Sequence, residues 1–151
     1  MPNWCRNRVT VFGAPEEIAK VTKIFKDEKS IFDNIIQSPD WKRLPNEKGE
    51  FPKLHQELNK DGSVFYETYN FPDGKNDDRW YEWNITNWGT KWDITAKQVE
   101  FNYEDSEQLE MEFDTAWSPP EEICFRLREM FQDLTFTWFY DEPGMCVAGY
   151  L

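Results

Sequence analysis

The second half of the chain carries a regular order of amphipathic segments, and this order restricts the fold more than any other feature. Val99, Phe101 and Tyr103 alternate with polar residues, and after a short acidic turn residues 109–115 alternate in the same way. Two such period-two runs predict a β-hairpin with one buried face. A helix with its apolar stripe over 123–131 follows, and then two strands over 134–140 and 145–151.

The first residues of the chain predict a strand and a helix of the same kind. Arg6 to Phe12 alternates around two valines, which favours a strand. Gly13-Ala14-Pro15 ends that strand, and Pro15 suits the first position of a helix that ends near residues 26–28. The chain is therefore predicted to be α+β, a ferredoxin-like βαββαβ antiparallel sheet with an added C-terminal edge strand. Right-handed connections would place both helices on one face of that sheet.

A long insertion after the first helix interrupts this order. We predict one ferredoxin-like domain over residues 1–151, with the insertion over about 29–94. Within it, Ile31–Ile36 is predicted to be a short strand, and Pro52–Asn59 to hold one or two helical turns. A further short helix is predicted from Asp78, with Gly89 just past its end.

Two local motifs in the second half predict specific geometry. Ser118-Pro119-Pro120-Glu121 has the spacing of a capping box, which predicts that the Ser118 side chain caps the following helix. The buried stripe of that helix is predicted to be Ile123, Leu127, Met130 and Phe131. Pro143-Gly144 predicts a type II turn in which Gly144 takes a positive φ.

The charge of the chain argues against nucleic acid as a partner. Seventeen basic residues stand against 29 acidic ones, and the formal net charge is −12. Such a field repels phosphate backbones and favours a basic protein. Twelve Phe, eight Trp and six Tyr supply the apolar area for a core despite the polar composition.

Cofactors, metals and membranes are not expected. Cys5, Cys124 and Cys146 are widely spaced, which argues against a disulfide framework and a cysteine metal site. No apolar run suggests a signal peptide or a membrane span, so a cytoplasmic location is expected. His55, the single histidine, lies in a polar segment, and enzymatic activity is not favoured.

Several motifs, in order along the chain, resemble those of a known family. They are Pro2-Asn3-Trp4-Cys5-Arg6-Asn7, Phe32-Asp33-Asn34-Ile35-Ile36, Asn87-Trp88-Gly89-Thr90-Lys91-Trp92-Asp93, Thr115-Ala116-Trp117-Ser118-Pro119-Pro120 and Tyr140-Asp141-Glu142-Pro143-Gly144 with Ala148-Gly149. Together they resemble the YubB-type ferredoxin-like domain family, small proteins of unknown function typical of phages and plasmids. The resemblance implies the fold and an accessory role. "Ferredoxin-like" implies no iron–sulfur cluster, and the scattered cysteines could not ligate one.

Two of these motifs supply the candidate ligand-binding residues. Polar donors beside flat apolar rings are typical of a small-ligand pocket. The alternative is that the indoles fill the core and Ser118 only caps a helix. The candidates are Asn87, Trp88, Thr90, Lys91, Trp117 and Ser118.

The polar face of the sheet is the second candidate site. Its acidic members Glu100, Glu110, Glu112 and Asp114 form a candidate protein-interaction face. We expect a non-enzymatic interaction module that contacts a basic protein of the host cell. Two alternatives stay open: a small-molecule-binding or enzymatic domain with a Trp-lined pocket around Lys91, and a DNA mimic or inhibitor of host defence.

Overall fold

The computed structural model describes residues 1–151. Contacts divide the chain into two units, residues Met1–Gln37 with Asn84–Leu151, and residues Ser38–Trp83. Both boundaries, between Gln37 and Ser38 and between Trp83 and Asn84, fall within the predicted insertion, and the second also falls within a helix. No helix combines the length and the apolar character needed to cross a membrane.

The larger unit contains a five-stranded antiparallel sheet. Its strands are β1 (Trp4–Phe12), β4 (Glu100–Glu104), β5 (Gln108–Ala116), β6 (Thr135–Glu142) and β7 (Val147–Tyr150), in the spatial order β4-β5-β1-β6-β7. The first four strands have the ferredoxin-like order, and β7 adds an edge strand beside β6. The predicted fold class is confirmed.

Helices α1 (Pro15–Phe25) and α4 (Glu121–Met130) pack on one face of this sheet. The core between them and the sheet is apolar because both helices turn a buried stripe inward. Phe113 of β5 is at its centre, with ring contacts to Phe25, Phe32 and Trp138. The predicted stripe of α4 is correct at Ile123 and Leu127 but wrong at Met130, which is exposed while Cys124 is buried.

A buried polar group also belongs to this core. Asn7 is fully buried, and its Nδ2 donates to the Thr115 hydroxyl and to the carbonyls of Cys5 and Phe113. Its Oδ1 accepts a hydrogen bond from the Trp138 indole at 3.0 Å. Both the amide nitrogen and the amide oxygen are hydrogen-bonded, which fixes the register of β1 against its neighbours β5 and β6.

The segment after α1 was predicted to be a strand, and this prediction is wrong. Phe32–Ile35 forms one turn of helix, α2. The carboxylate of Asp93 accepts hydrogen bonds from the N–H groups of Ile31, Phe32 and Asp33 at 2.7–3.1 Å. A side chain about 60 residues away therefore satisfies the open N–H groups at the start of the turn.

The smaller unit, residues 38–83, contains a β-hairpin of β2 (Lys53–Leu58) and β3 (Val64–Asn70). The helical turns predicted over Pro52–Asn59 are wrong, because this segment pairs as a strand with β3. Helix α3 (Arg79–Asn87) begins close to the predicted position. One turn of 3-10 helix, Trp41–Arg43, precedes the hairpin.

The guanidinium of Arg79 connects several segments of the smaller unit. It forms a two-pronged pair with the Asp77 carboxylate at 2.8 and 2.9 Å. It also donates to the carbonyls of Trp41, Leu44 and Pro45 at 2.9–3.1 Å. Its central carbon lies 5.1 Å from the Trp41 ring centroid. One planar cation thereby fixes the irregular segment 41–45 against the start of α3.

Candidate functional site

The two tryptophan motifs of the sequence meet in the structure. The Asn87–Asp93 segment lies against the Thr115–Pro120 loop, where β5 passes into α4. Thr90 Oγ1 donates to the Ala116 carbonyl at 2.8 Å, and Ser118 Oγ donates to the Gly89 carbonyl at 2.5 Å. A hydrogen bond in each direction thus joins two segments that are far apart in the sequence.

Gly89 is required at this crossing. Its φ is +89°, and a Cβ built on it would lie 2.7 Å from the backbone nitrogen of Glu121. A positive φ favours glycine, and the close approach excludes any side chain. The predicted role of Gly89 as the residue past the end of α3 is confirmed, since its N–H donates to the carbonyls of Asn84 and Ile85.

The structure separates the six candidate ligand-binding residues into groups. Trp88 is 4% exposed, and its indole donates to the Ile36 carbonyl and meets Phe32 edge-on. Thr90 is 0% exposed. These two side chains are buried in the core.

Lys91 and Asn87 lie at partly exposed positions outside that core. The Lys91 ammonium lies 4.5 Å from the centroid of the Trp92 ring, and the Lys91 carbonyl accepts a hydrogen bond from Asn84. Trp92 in turn contacts Trp4 at 6.3 Å between ring centroids. Asn87 is the last residue of α3. Neither residue lines the cleft that contains Trp117 and Ser118.

Trp117 and Ser118 line a cleft of about 450 Å³ between the Thr115–Pro120 loop, α4 and the β6–β7 hairpin. We call it the α4–β7 cleft. Sequence reasoning missed its other walls, which include Phe125, Tyr140 and Val147. Phe125 could have been predicted to lie on the surface, because it is an apolar residue outside the predicted buried stripe of its helix.

The backbone at Trp117 is unusual. Trp117 has a φ of +73°, a region that a bulky residue rarely occupies. Its N–H donates to the Asn3 carbonyl at 2.9 Å, and the Thr115 hydroxyl donates to the Ser118 carbonyl at 2.7 Å. The surrounding hydrogen bonds hold this strained turn, and they leave the indole 45% exposed beside the cleft.

Ser118 does not cap α4, so the predicted capping box is wrong. The helix begins at Glu121 after Pro120, without a side-chain cap, and the Ser118 hydroxyl is used by Gly89 instead. A capping box does occur at Thr95 and Gln98, in the 3-10 turn before β4.

The turn between β6 and β7 also differs from its prediction. Gly144 does not take the positive φ, and Cys146 does, at +55°. The carboxylate of Glu142 accepts hydrogen bonds from the N–H groups of Gly144 and Met145. This side chain, which is only 3% exposed, organises the turn and also lines the cleft.

Burial raises the pKa of two thiols and of one carboxyl group. Burial raises the pKa of Cys5 to about 12 and that of Cys124 to about 11. Burial also raises the pKa of Asp93, although its N–H donors act in the opposite direction. No group of three or more His, Cys, Asp or Glu side chains has metal-binding geometry.

The second candidate site is the sheet face opposite the helices, which we call the open face. The register places Glu112 beside Arg8, Asp114 beside Arg6, and Glu100 beside Glu112. Arg6 pairs with the Glu112 carboxylate, and Arg8 lies 3.5 Å from it. Within these strands the face carries five carboxylates and two guanidinium groups: Glu100, Glu110, Glu112, Asp114 and Asp141 against Arg6 and Arg8.

Exposed aromatic rings surround these charges. The strand register puts Trp4, Phe12, Tyr103 and Tyr150 on the open face, and each is at least 44% exposed. Tyr150 packs on Phe139 at 5.2 Å between ring centroids, and the Arg8 guanidinium lies 5.9 Å from the same Phe139 ring. No helix of the larger unit covers this face.

Comparisons with known proteins agree with the observed fold. Residues 87–151 match a family model described as a ferredoxin-like domain in Api92-like protein. The crystal structure of the protein api92 from Yersinia pseudotuberculosis superposes with a TM-score of 0.53 at 13% sequence identity, over 99% of this chain and 93% of that one. No curated protein sequence matches the chain significantly. The part from Asn87 onward therefore resembles the ferredoxin-like domain of Api92-like proteins, and this likeness supports the fold without assigning a function.

Proposed function

We propose that the protein is a non-enzymatic interaction module whose open face binds a basic protein. The observation that supports this is a sheet face that no helix of the larger unit covers, on which carboxylates outnumber guanidinium groups and aromatic side chains are exposed. Acidic groups steer a basic partner and set its orientation. Exposed Tyr, Trp and Phe provide the contact area that protein interfaces favour.

The remaining parts of the proposal rest on resemblance. The YubB-type motifs suggest an accessory protein of phage or plasmid origin that acts on a host protein in the cytoplasm. A role as DNA mimic or inhibitor of host defence is a special case, in which the partner binds DNA through the surface that the open face occupies.

Charge reversal on the open face tests the proposal. Glu100→Lys with Asp114→Lys changes two exposed carboxylates and leaves Glu112 to hold the arginines. Glu16→Lys with Glu129→Lys changes the net charge equally at exposed positions on α1 and α4, on the opposite side of the sheet, and is the matched control. Each variant serves as bait in a quantitative pull-down from lysate at low and high salt.

We expect a basic protein to bind the wild type and the control variant. The same protein should not bind the open-face variant. Its binding should weaken with salt, because exposed charges are screened. Retention of the same proteins by the open-face variant would contradict the proposal. Displacement of the recovered protein by duplex DNA would identify the mimic.

A further inference from the structure

We infer that the α4–β7 cleft binds a small organic cation, such as an alkylated ammonium group. This inference does not depend on a protein partner, although Tyr150 of the open face also lines the cleft. The cleft volume of about 450 Å³ lies within the range of small-molecule sites. The residues that line the cleft favour a cation over other small ligands.

The walls combine aromatic rings with negative charge. Trp117, Phe125 and Tyr140 line the cleft, and two carboxylates, Glu121 and Glu142, are also in its lining. No lysine or arginine lines it. Aromatic faces beside carboxylates attract organic cations, since the ring quadrupole and the full charge act in the same direction.

The charge of Glu142 is not balanced within the protein. Its carboxylate is 3% exposed and accepts N–H hydrogen bonds from the turn, but neither Glu142 nor Glu121 forms a salt bridge. A buried carboxylate without a counter-charge is costly, and a bound cation would offset that cost. The guanidinium of Arg128 donates to the carbonyls of Phe136 and Leu151 and forms no salt bridge with either glutamate.

Trp117 provides the second, independent observation. Its backbone is strained at a φ of +73°, yet its indole is left half exposed beside the cleft. Backbone strain of this kind persists only where the surrounding structure enforces it, and it is concentrated at functional sites such as ligand sites.

Choline and its neutral isostere 3,3-dimethylbutan-1-ol are the probes, because they differ mainly in charge. Titration is followed by tryptophan fluorescence and by NMR shifts of the indole N–H signals. For choline the expected dissociation constant is on the order of 1 mM. The neutral isostere should bind about tenfold more weakly.

Two pairs of variants locate the site. Glu121→Gln should weaken choline binding about threefold, while Glu122→Gln, also in the first turn of α4, should leave it unchanged. Trp117→Gly tolerates the positive φ and should weaken binding about tenfold. Trp92→Leu removes an indole that is exposed to a similar extent outside the cleft, and should not weaken binding. Thermal unfolding verifies that each variant folds, and the Glu121 pair is sufficient if Trp117→Gly does not.

Three results would overturn the inference. They are absence of saturable choline binding, equal binding of choline and its neutral isostere, and equal effects of a cleft variant and its matched control.

Discussion

The hydroxyl of Thr90 donates to the main-chain carbonyl of Ala116 at 2.8 Å, and Thr90 has no exposed surface. This bond and the one from Ser118 to Gly89 join the two tryptophan motifs. The motifs that the sequence offers as a ligand site are therefore, in large part, the junction between the end of α3 and the start of α4.

Thr90→Val removes the donor and keeps the shape of the side chain. We expect the free energy of unfolding to fall by about 1–3 kcal/mol, because the Ala116 carbonyl loses its buried partner. Urea denaturation followed by tryptophan fluorescence measures the change. Thr10→Val on the open face is the control and should alter stability by less than about 0.5 kcal/mol. Equal stability of Thr90→Val and the wild type would contradict this role.

Gly89→Ala tests the close approach of the two segments. The alanine would have to adopt a positive φ, and its methyl group would meet the Glu121 nitrogen. We therefore expect the free energy of unfolding to fall by more than about 2 kcal/mol. Gly149→Ala is the control in the same unit, since its added Cβ lies no closer than 3.4 Å to its neighbours. Unfolding of both variants at the same urea concentration would contradict the close approach of Gly89 to Glu121.

The sequence predicted the regular sheet well because one face of it is buried. Alternation identified β1, β5 and β6 to within about two residues, since every second side chain of these strands lies in the core. The exposed ribbon strand Lys53–Leu58 gave no such signal, because neither of its faces is buried. Its conformation depends on pairing with β3.

Predictions that depended on a distant partner were wrong. Phe32–Ile35 reads locally as a strand, but Asp93 supplies the acceptor for its N–H groups. Ser118 reads locally as a helix cap, but its hydroxyl partner is Gly89. For the same reason, nothing local indicates that Trp88 is buried and that Trp117 is exposed.

Thiol labelling distinguishes the three cysteines. Cys5 and Cys124 are buried and Cys146 is exposed, and burial raises the pKa of Cys5 to about 12 and of Cys124 to about 11. The thiolate is the reactive form. We expect one equivalent of reagent to react with the native protein at pH 8, and three after denaturation. Cys146→Ser should abolish native labelling, and residual labelling of that variant would show that a buried thiol is accessible.

The last prediction concerns pH and the Asp77–Arg79 pair. The Asp77 side chain is 4% exposed, and the hydrogen bonds from Arg79 hold the pKa of Asp77 below its ordinary value of 3.8. A carboxyl with a lowered folded-state pKa contributes stability above its unfolded-state pKa, and that contribution is lost as pH falls through the lower, folded-state pKa. The Asp77–Arg79 pair should therefore stabilise residues 38–83 near neutral pH, and this contribution should be lost below about pH 4. NMR signals of the Trp41 and Trp80 indole N–H groups, followed from pH 6 to pH 2, report this loss.

Asp77→Asn lacks the titrating group, so its stability near neutral pH should be lower and its acid-dependent loss smaller. Arg79→Lys keeps the charge without the planar fork and should cost on the order of 2 kcal/mol. An acid transition of unchanged size in Asp77→Asn would assign the pH dependence to other carboxylates.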